Sequence, residues 1–311
     1  MISDFSGIYA AIVTPFEDDG FPSTDQFVAL LKHLAARGIH GVLVAGTTGE
    51  GPSLSVEERI GLFASVAKAN TNLKLLAGTG CASLEDTKHL SRAAFDHGAA
   101  AIVVIPPFFY SDPPLQGLLD FFTGLMSTIP SDGPVLLYHN PTVSAPIITP
   151  ELIERLRDHY PEQILGIKDS GGDWAYTAKL IANFPDFQVL VGSDKNLSRA
   201  LSAGGSGAIT ALAGIFPEML REVYDLQWSG KSFMDAQSRV DNTHSQFDGL
   251  PRIAAFKWLL ATAKIIHNDS VRPPLRVLRE NEIDLLSQRF NVRLTMPDSF
   301  DMSNPGTIDK V

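Results

Sequence analysis

The sequence predicts an α/β fold, a (β/α)8 TIM barrel with a C-terminal helical appendage. Three observations point there. Eight short apolar runs alternate with helical patterns at a spacing of roughly 25–30 residues, the signature of stacked βα units. Those units fill about 210 residues, near the ~250 typical of a closed barrel. An open doubly wound sheet would place a glycine-rich phosphate turn after its first strand, and Thr14-Pro15-Phe16 stand there instead.

The first strand is expected over Ile8–Thr14, stopped by Pro15 and the acidic turn Glu17 to Gly20. Thr24 is a plausible N-cap for a helix to Arg37, with Gly38 as its stop. Gly41–Ala45 is the second strand, ending in Gly46-Thr-Thr-Gly-Glu-Gly51. Ser55-Val-Glu-Glu58 reads as a capping box opening the next helix. Lys74–Gly78 is the third strand, and Ser83 with Asp86 starts a helix to His97. Strands at Ala100–Ile105 and Pro134–His139 then alternate with helices at Leu115–Thr128 and Thr149–His159. The sixth strand runs through Gln163-Ile-Leu-Gly-Ile-Lys168, followed by a helix over Asp173–Asn183. Phe187–Val191, a helix over Lys195–Ala203 and the short strand Gly207–Thr210 complete the barrel.

Past Ile215 the pattern changes to helices alone, at Pro217–Gln227, Phe233–Phe247, Arg252–His267 and Glu280–Arg289. The expected organisation is a barrel over 1–215, a helical extension over 216–290 and a polar, loosely held tail over 291–311 containing Pro297 and Pro305.

Of 311 residues, 44% are hydrophobic and 19% charged, enough apolar material for a large core. A net charge of −10 with scattered basic residues argues against nucleic acid or an anionic membrane as partner. The single cysteine, Cys81, leaves no intrachain disulfide. Met-Ile-Ser-Asp-Phe carries no leader pattern, and the longest apolar run, Ala99–Phe109, is broken by Pro106 and Pro107 and is too short to span a bilayer. A cytoplasmic protein is expected.

In such barrels the active site lies at the C-terminal strand ends. Those ends carry Thr14, Thr47-Thr48, Gly78-Thr79-Gly80-Cys81, Pro106-Pro107, Tyr138-His139-Asn140, Lys168-Asp169-Ser170, Gly192-Ser193-Asp194 and Thr210. Alternation puts Lys168 on one face with Gly166 and Ile164, and Leu165 and Ile167 on the other. Lysine is almost never buried unless paired or used. Lys168 either snorkels or pairs with Asp169, or it is a nucleophile. Burial disfavours an ammonium, and a neutral amine can attack a ketone to form an imine. Tyr138, on the adjacent strand, is the proton donor and acceptor in reach. Thr47 and Thr48, flanked by Gly46 and Gly49, offer hydroxyl and N–H groups to a carboxylate. Alternation turns Asn140 to the pocket and His139 away. Cys81 reads as a small filler or a free thiol.

Two other classes compete. Asp169 and Asp194 could suggest magnesium, but Asn140 and Thr210 stand where a third carboxylate is needed, and the histidines lack ligand spacing. No metal and no cofactor are expected. A barrel that only binds a small acid would gain nothing from a desolvated lysine.

The set Gly46-Thr-Thr-Gly-Glu50, Tyr138-x-x-Pro141 and Gly166-Ile-Lys-Asp-Ser-Gly171 resembles the dihydrodipicolinate synthase / N-acetylneuraminate lyase family, from about Gly7 to Arg289 and including Phe256-Lys-Trp258. The resemblance implies a Schiff-base class I aldolase on a (β/α)8 barrel, usually a homotetramer arranged as a dimer of dimers. It implies that Lys168 forms an imine with a small 2-oxo acid and that Tyr138 shuttles protons with Thr48 in its relay. It also implies that Thr47 and Thr48 hold the pyruvyl carboxylate, and that Gly192 and Ile209 line the pocket. Where the family's lysine-pathway synthase has an arginine for the second substrate's carboxylate, this chain has Val143. Where that synthase has a Tyr-Tyr pair, Phe108-Phe109-Tyr110 leave only Tyr110. By contrast Ala77–Ser83, Lys168–Asp173, Phe187–Ser193 and Arg272-Pro-Pro-Leu275 are similar to the branch cleaving 4-hydroxy-2-oxoglutarate, with 2-keto-3-deoxy sugar acid aldolases as neighbours. Cleavage of a 4-hydroxy-2-oxo acid is the expected reaction, with 4-hydroxy-tetrahydrodipicolinate synthase as the alternative.

Overall fold

A computed structural model describes residues 4–291. Eight parallel strands close into one barrel: β1 (Gly7–Ala11), β2 (Gly41–Val44), β3 (Lys74–Gly78), β4 (Ala101–Val104), β5 (Val135–His139), β6 (Ile164–Asp169), β7 (Gln188–Val191) and β8 (Gly207–Thr210), with β8 pairing back on β1. Helices α1 (Thr24–Ala36), α2 (Val56–Lys68), α3 (Leu84–Asp96), α4 (Leu115–Met126), α5 (Pro150–His159), α6 (Trp174–Asn183) and α7 (Leu197–Ser202) form the outer layer. Four further helices follow β8: α8 (Pro217–Trp228), α9 (Met234–Ser245), α10 (Arg252–Thr262) and α11 (Glu280–Arg289).

Strand alternation sorts the core in two. Tyr9, Ala11, Leu43, Leu76, Val103, Leu136, Tyr138, Leu190 and Ile209 fill the interior with Phe5, while Ile8, Val42, Leu75, Ile102, Leu137, Val189 and Ala208 face the helices. Strand β6 breaks the expected alternation. The register passes from Val135↔Ile164 to Leu136↔Gly166, so Leu165 is an extra residue with no partner on β5. Such a bulge turns two successive side chains toward one face. Leu165 therefore joins the interior cluster, while Ile164 sits outside with Ile167, the reverse of simple alternation. Beyond the bulge the phase is restored: Tyr138 pairs with Lys168, and both point inward.

Helix starts follow their caps. Ser55 and Glu58 form the reciprocal capping box at α2, and Ser83, Thr149 and Asp173 cap α3, α5 and α6. At α1 the cap is Ser23 rather than Thr24: Ser23 is extended and accepts from the Gln26 amide, while Thr24 is already helical. β1 ends at Ala11, short of Thr14, because Thr14 turns its hydroxyl to the Gly49 carbonyl (2.7 Å). The helix expected from Lys195 opens as a single tight turn, Asp194–Asn196, before α7. α10 stops at Thr262, short of His267. Lys264 adopts left-handed φ of 58°, and the Ile265 amide returns to the Leu260 carbonyl (2.9 Å), a Schellman closure.

The appended helices share the barrel's outer core. Leu220, Val223, Val240, Leu259 and Leu260 belong to one buried cluster with Ile8 and Ala10. An aromatic seam of Phe216, Phe290, Phe247 and Phe256 joins α8, α10 and α11, with ring centroids 4.8–5.7 Å apart. The tail expected to be loose lies, past Asn291, outside the described residues.

Candidate active site

Lys168 stands at the C-terminal end of β6, only 4% exposed. Its Nζ lies over the Tyr138 ring, 4.3 Å from the centroid. The neighbouring carboxylate does not neutralise it. Asp169 Oδ2 accepts from the Thr177 hydroxyl (2.5 Å) and Oδ1 from the Gly171 amide (3.0 Å), so the Asp169 pairing weighed from sequence is not formed. Among the described residues no ion pair involves Lys168.

Tyr138 hydroxyl is the hub. Asn140 Nδ2 donates to it (2.9 Å), and Thr47 Oγ1 lies 3.2 Å away, either oxygen able to donate. Asn140 is held in turn by the Thr142 hydroxyl, which donates to Asn140 Oδ1 (2.7 Å). Burial pushes the Tyr138 phenol up, but the Lys168 ammonium and hydrogen bonds from Thr47, Asn140 and Ser170 together bring it below its ordinary value. An amine, an acidified phenol and a hydroxyl thus adjoin one another, which is what proton exchange around an imine requires.

The hydroxyl that lies against the Tyr138 phenol is that of Thr47, whereas the family resemblance puts Thr48 in the relay. Thr48 makes no side-chain hydrogen bond to Tyr138, because the turn through Gly46–Gly51 directs the first threonine inward. The Glu50 amide bonds the Thr47 carbonyl (3.1 Å), Glu50 takes left-handed φ of 57°, and the Gly51 amide returns to Gly46 (3.0 Å). A Cβ at Gly51 would strike the Ala45 carbonyl, so the turn demands glycine there. The Glu50 carboxylate is sealed beneath: Lys257 Nζ lies 2.5 Å from Oε1, the Arg272 amide donates to Oε2 (2.8 Å), and neither charged side chain has solvent access. Lys257 also donates to the Ser270 carbonyl (2.7 Å) and lies 4.0 Å from the Phe16 ring centroid. Helix α10 therefore holds the threonine loop from outside the barrel.

Gly192 follows β7, and its lack of a side chain leaves room for the Ser170 hydroxyl. Ile209 is wholly buried in the interior layer of β8. Tyr110 is not brought to Tyr138 in the single chain; it is 71% exposed, its ring edge-on to Phe109 (5.4 Å). His139 points away as expected, its ring 4.4 Å from that of Tyr176. Asp194 pairs with His244 (3.0 Å), and Arg252 is engaged by His244 and Asp248.

A cavity of about 240 Å³ opens beside this cluster, walled by Thr47, Tyr138, Phe108, Val143 and Arg59. Arg59 was not anticipated. A signal existed: it occupies the buried face of α2 with Leu62, Phe63 and Val66, at helical spacing that otherwise holds only apolar residues.

A family model for the dihydrodipicolinate synthetase family matches residues 4–291. The chain belongs to that family. Dihydrodipicolinate synthetase family members are Schiff-base lyases and aldolases, and this protein is a carbon–carbon lyase of that kind. It is 40% identical over 285 residues to an uncharacterized DapA-like lyase of Chloroflexus aurantiacus, covering 91% of this chain and 95% of the relative. It is 30% identical over 301 residues to the 4-hydroxy-tetrahydrodipicolinate synthase of Methanopyrus kandleri, covering 94% and 97%. Among solved structures, a prophage protein of the dihydrodipicolinic acid synthase family from E. coli K12, in complex with pyruvate, superposes with a TM-score of 0.87 at 26% identity, covering 93% of this chain and 98% of that one. Among the described residues no helix is long and apolar enough to cross a membrane.

Proposed function

We propose that this family member is a class I aldolase cleaving a 4-hydroxy-2-oxo acid, either 4-hydroxy-2-oxoglutarate or a 2-keto-3-deoxy sugar acid. The observation that carries the reading is Lys168: a buried strand-end amine with no carboxylate partner, lying against a phenol whose pKa is lowered. The Lys168 amine attacks C2 of the oxo acid, and loss of water gives the imine. Thr47 and Thr48 hold the C1 carboxylate. Tyr138, as phenolate, takes the proton of the C4 hydroxyl, and the C3–C4 bond breaks. Its electron pair passes into the enamine, and the C4 fragment leaves as an aldehyde or oxo acid. Protonation at C3 and hydrolysis release pyruvate and restore the amine. Where glyoxylate forms, it is the C4 fragment. Gly192 and Ile209 shape the pocket, and Asn140 orients the phenol and lies where the C4 hydroxyl is recognised.

Borohydride reduction with pyruvate should add the reduced adduct mass to the peptide containing Lys168; labelling at another lysine, or none in active enzyme, sinks the mechanism. The runner-up, condensation of pyruvate with aspartate semialdehyde, is favoured by the relatives bearing the synthase name. Against it stands Val143, which is 47% exposed and offers no donor at the position the resemblance gives to the arginine for the semialdehyde carboxylate. Assaying both reactions on one preparation decides, and much faster condensation overturns the aldolase reading. The same reading takes the protein as cytoplasmic and homotetrameric, since exposed Phe109, Tyr110 and Ile147 give a second subunit an apolar surface. Tyr110 would then enter the relay only across such a contact.

A further inference from the structure

The cavity beside Tyr138 contains a cation to which the proposed cleavage gives no role. Arg59 is 5% exposed, and it is the only charged residue in the cavity wall among the described residues. Of its five N–H groups, Nη1 donates to Cys81 Sγ (3.1 Å) and Nη2 to the carbonyls of Gly78 and Gly80. Two donors remain, and buried Nε–H has no partner. No carboxylate among the described residues ion-pairs with Arg59. Arg272, by contrast, is already matched by Glu58 at 2.5 Å. Asp86 acts on Arg59 through space only; a buried guanidinium with no directly bonded anion is costly, and apolar surroundings strengthen its pull on any anion that enters.

The other walls fit a short anionic group. Val103, Ile105, Phe108 and Val143 are apolar, and Thr47 and Tyr138 are the hydroxyls. A volume of about 240 Å³ is below the ordinary range for whole ligands, so it suits the end of a substrate rather than a polyhydroxy chain. Tyr138 is common to both places, since its ring also lies under the Lys168 amine. A molecule held on Lys168 therefore reaches the cavity past the phenol.

We propose that this cavity receives the far carboxylate of the substrate, with Arg59 as its cation, so that the preferred substrate is a short dicarboxylic 4-hydroxy-2-oxo acid. This rests on the aldolase reading above and narrows it.

The test compares 4-hydroxy-2-oxoglutarate with 2-keto-3-deoxygluconate, whose tail is uncharged, on wild type, Arg59→Lys, Arg59→Gln and Val143→Glu. Wild type should prefer the diacid. Arg59→Gln should raise the KM ratio of diacid to sugar acid by about tenfold or more, the scale of one lost charge-assisted contact. Arg59→Lys should fall between, since it keeps the charge and loses the fork. Val143→Glu changes an exposed loop residue, so the fold is not at risk, and its negative charge should raise the same ratio. Wild-type preference for the sugar acid, or an equal change for both substrates, overturns the proposal. Borohydride trapping of pyruvate on wild type reports separately on the imine. If trapping fails, calorimetry with glutarate as the probe still reads the subsite: binding lost in Arg59→Gln supports it, and unchanged binding sinks it.

Discussion

Two lysines are buried among the described residues, and their surroundings are opposite. Lys257, with no solvent access, has a carboxylate at 2.5 Å, a carbonyl at 2.7 Å and an aromatic face. Lys168 has the Tyr138 ring and, among the described residues, no ion-pair partner. Burial alone therefore does not distinguish a structural lysine from the one proposed to react. The distinguishing feature is whether an anion has been supplied. Burial pushes the Lys257 pKa down to about 8 in spite of the opposing pull of Glu50. The Tyr138 phenol beside Lys168 is moved toward the ionised form that can take a proton.

The comparison breaks most visibly in activity. Lys168→Arg should have no measurable turnover and no trapped pyruvate, because arginine stays protonated and cannot serve as the amine. Lys257→Arg should still give a trapped adduct at Lys168, because Lys257 is held by Glu50 and Ser270 outside the barrel interior. Tyr138→Phe comes next, with kcat lowered roughly 10²–10⁴-fold and the fold intact, since only a hydroxyl is removed. Near-normal kcat would return Tyr138 to the status of a core residue.

The same substitution at both lysines then sharpens the contrast in stability. Lys257→Met leaves Glu50 charged and buried without its partner, which should cost about 3–5 kcal/mol in urea unfolding. Glu50→Gln in the same chain should recover much of that loss. Lys168→Met strands no anion, so its stability should stay within about 1 kcal/mol of wild type or rise. Equal losses at the two sites would dissolve the distinction.

The smallest effect is in pH. Lys257 has a folded pKa of about 8, below the 10.5 of a free lysine. Between those values the unfolded chain keeps a proton that the folded chain has lost, so this group's contribution to stability rises with pH across the window and is flat below it. Wild type measured against Lys257→Met should gain on the order of 1–2 kcal/mol from pH 8 to pH 10. A flat or falling difference would mean that Glu50 holds Lys257 charged throughout.

The strands and their catalytic ends were legible because the βα period repeats eight times and alternation depends only on the backbone. Lys168, Tyr138 and Asn140 could be placed on one face from that rule alone. Leu165 could not, because a bulge is set by register with β5 and leaves no mark in β6 itself. The choice between Thr47 and Thr48 depended on the left-handed turn at Glu50, which answers to Lys257 and Arg272 far along the chain. Arg59 was readable as an arginine on an apolar helix face, yet its nearness to Tyr138 required the barrel to close. Tyr110 was legible as a residue and not as a position, because the rim loop carries it outward.

The Glu50–Lys257 pair also sets an order of events in the making of the protein. A ribosome completes the threonine loop early and delivers Lys257 only after all eight strands have emerged. Until then Glu50 has no cation and keeps its water, so the turn that aims Thr47 at Tyr138 has no inner anchor. A truncated chain ending after β8 would possess Lys168, Tyr138 and both threonines and still lack the clamp that sets their spacing. The C-terminal helices are thus the last component of the candidate site to arrive, although none of their described residues lines its cavity.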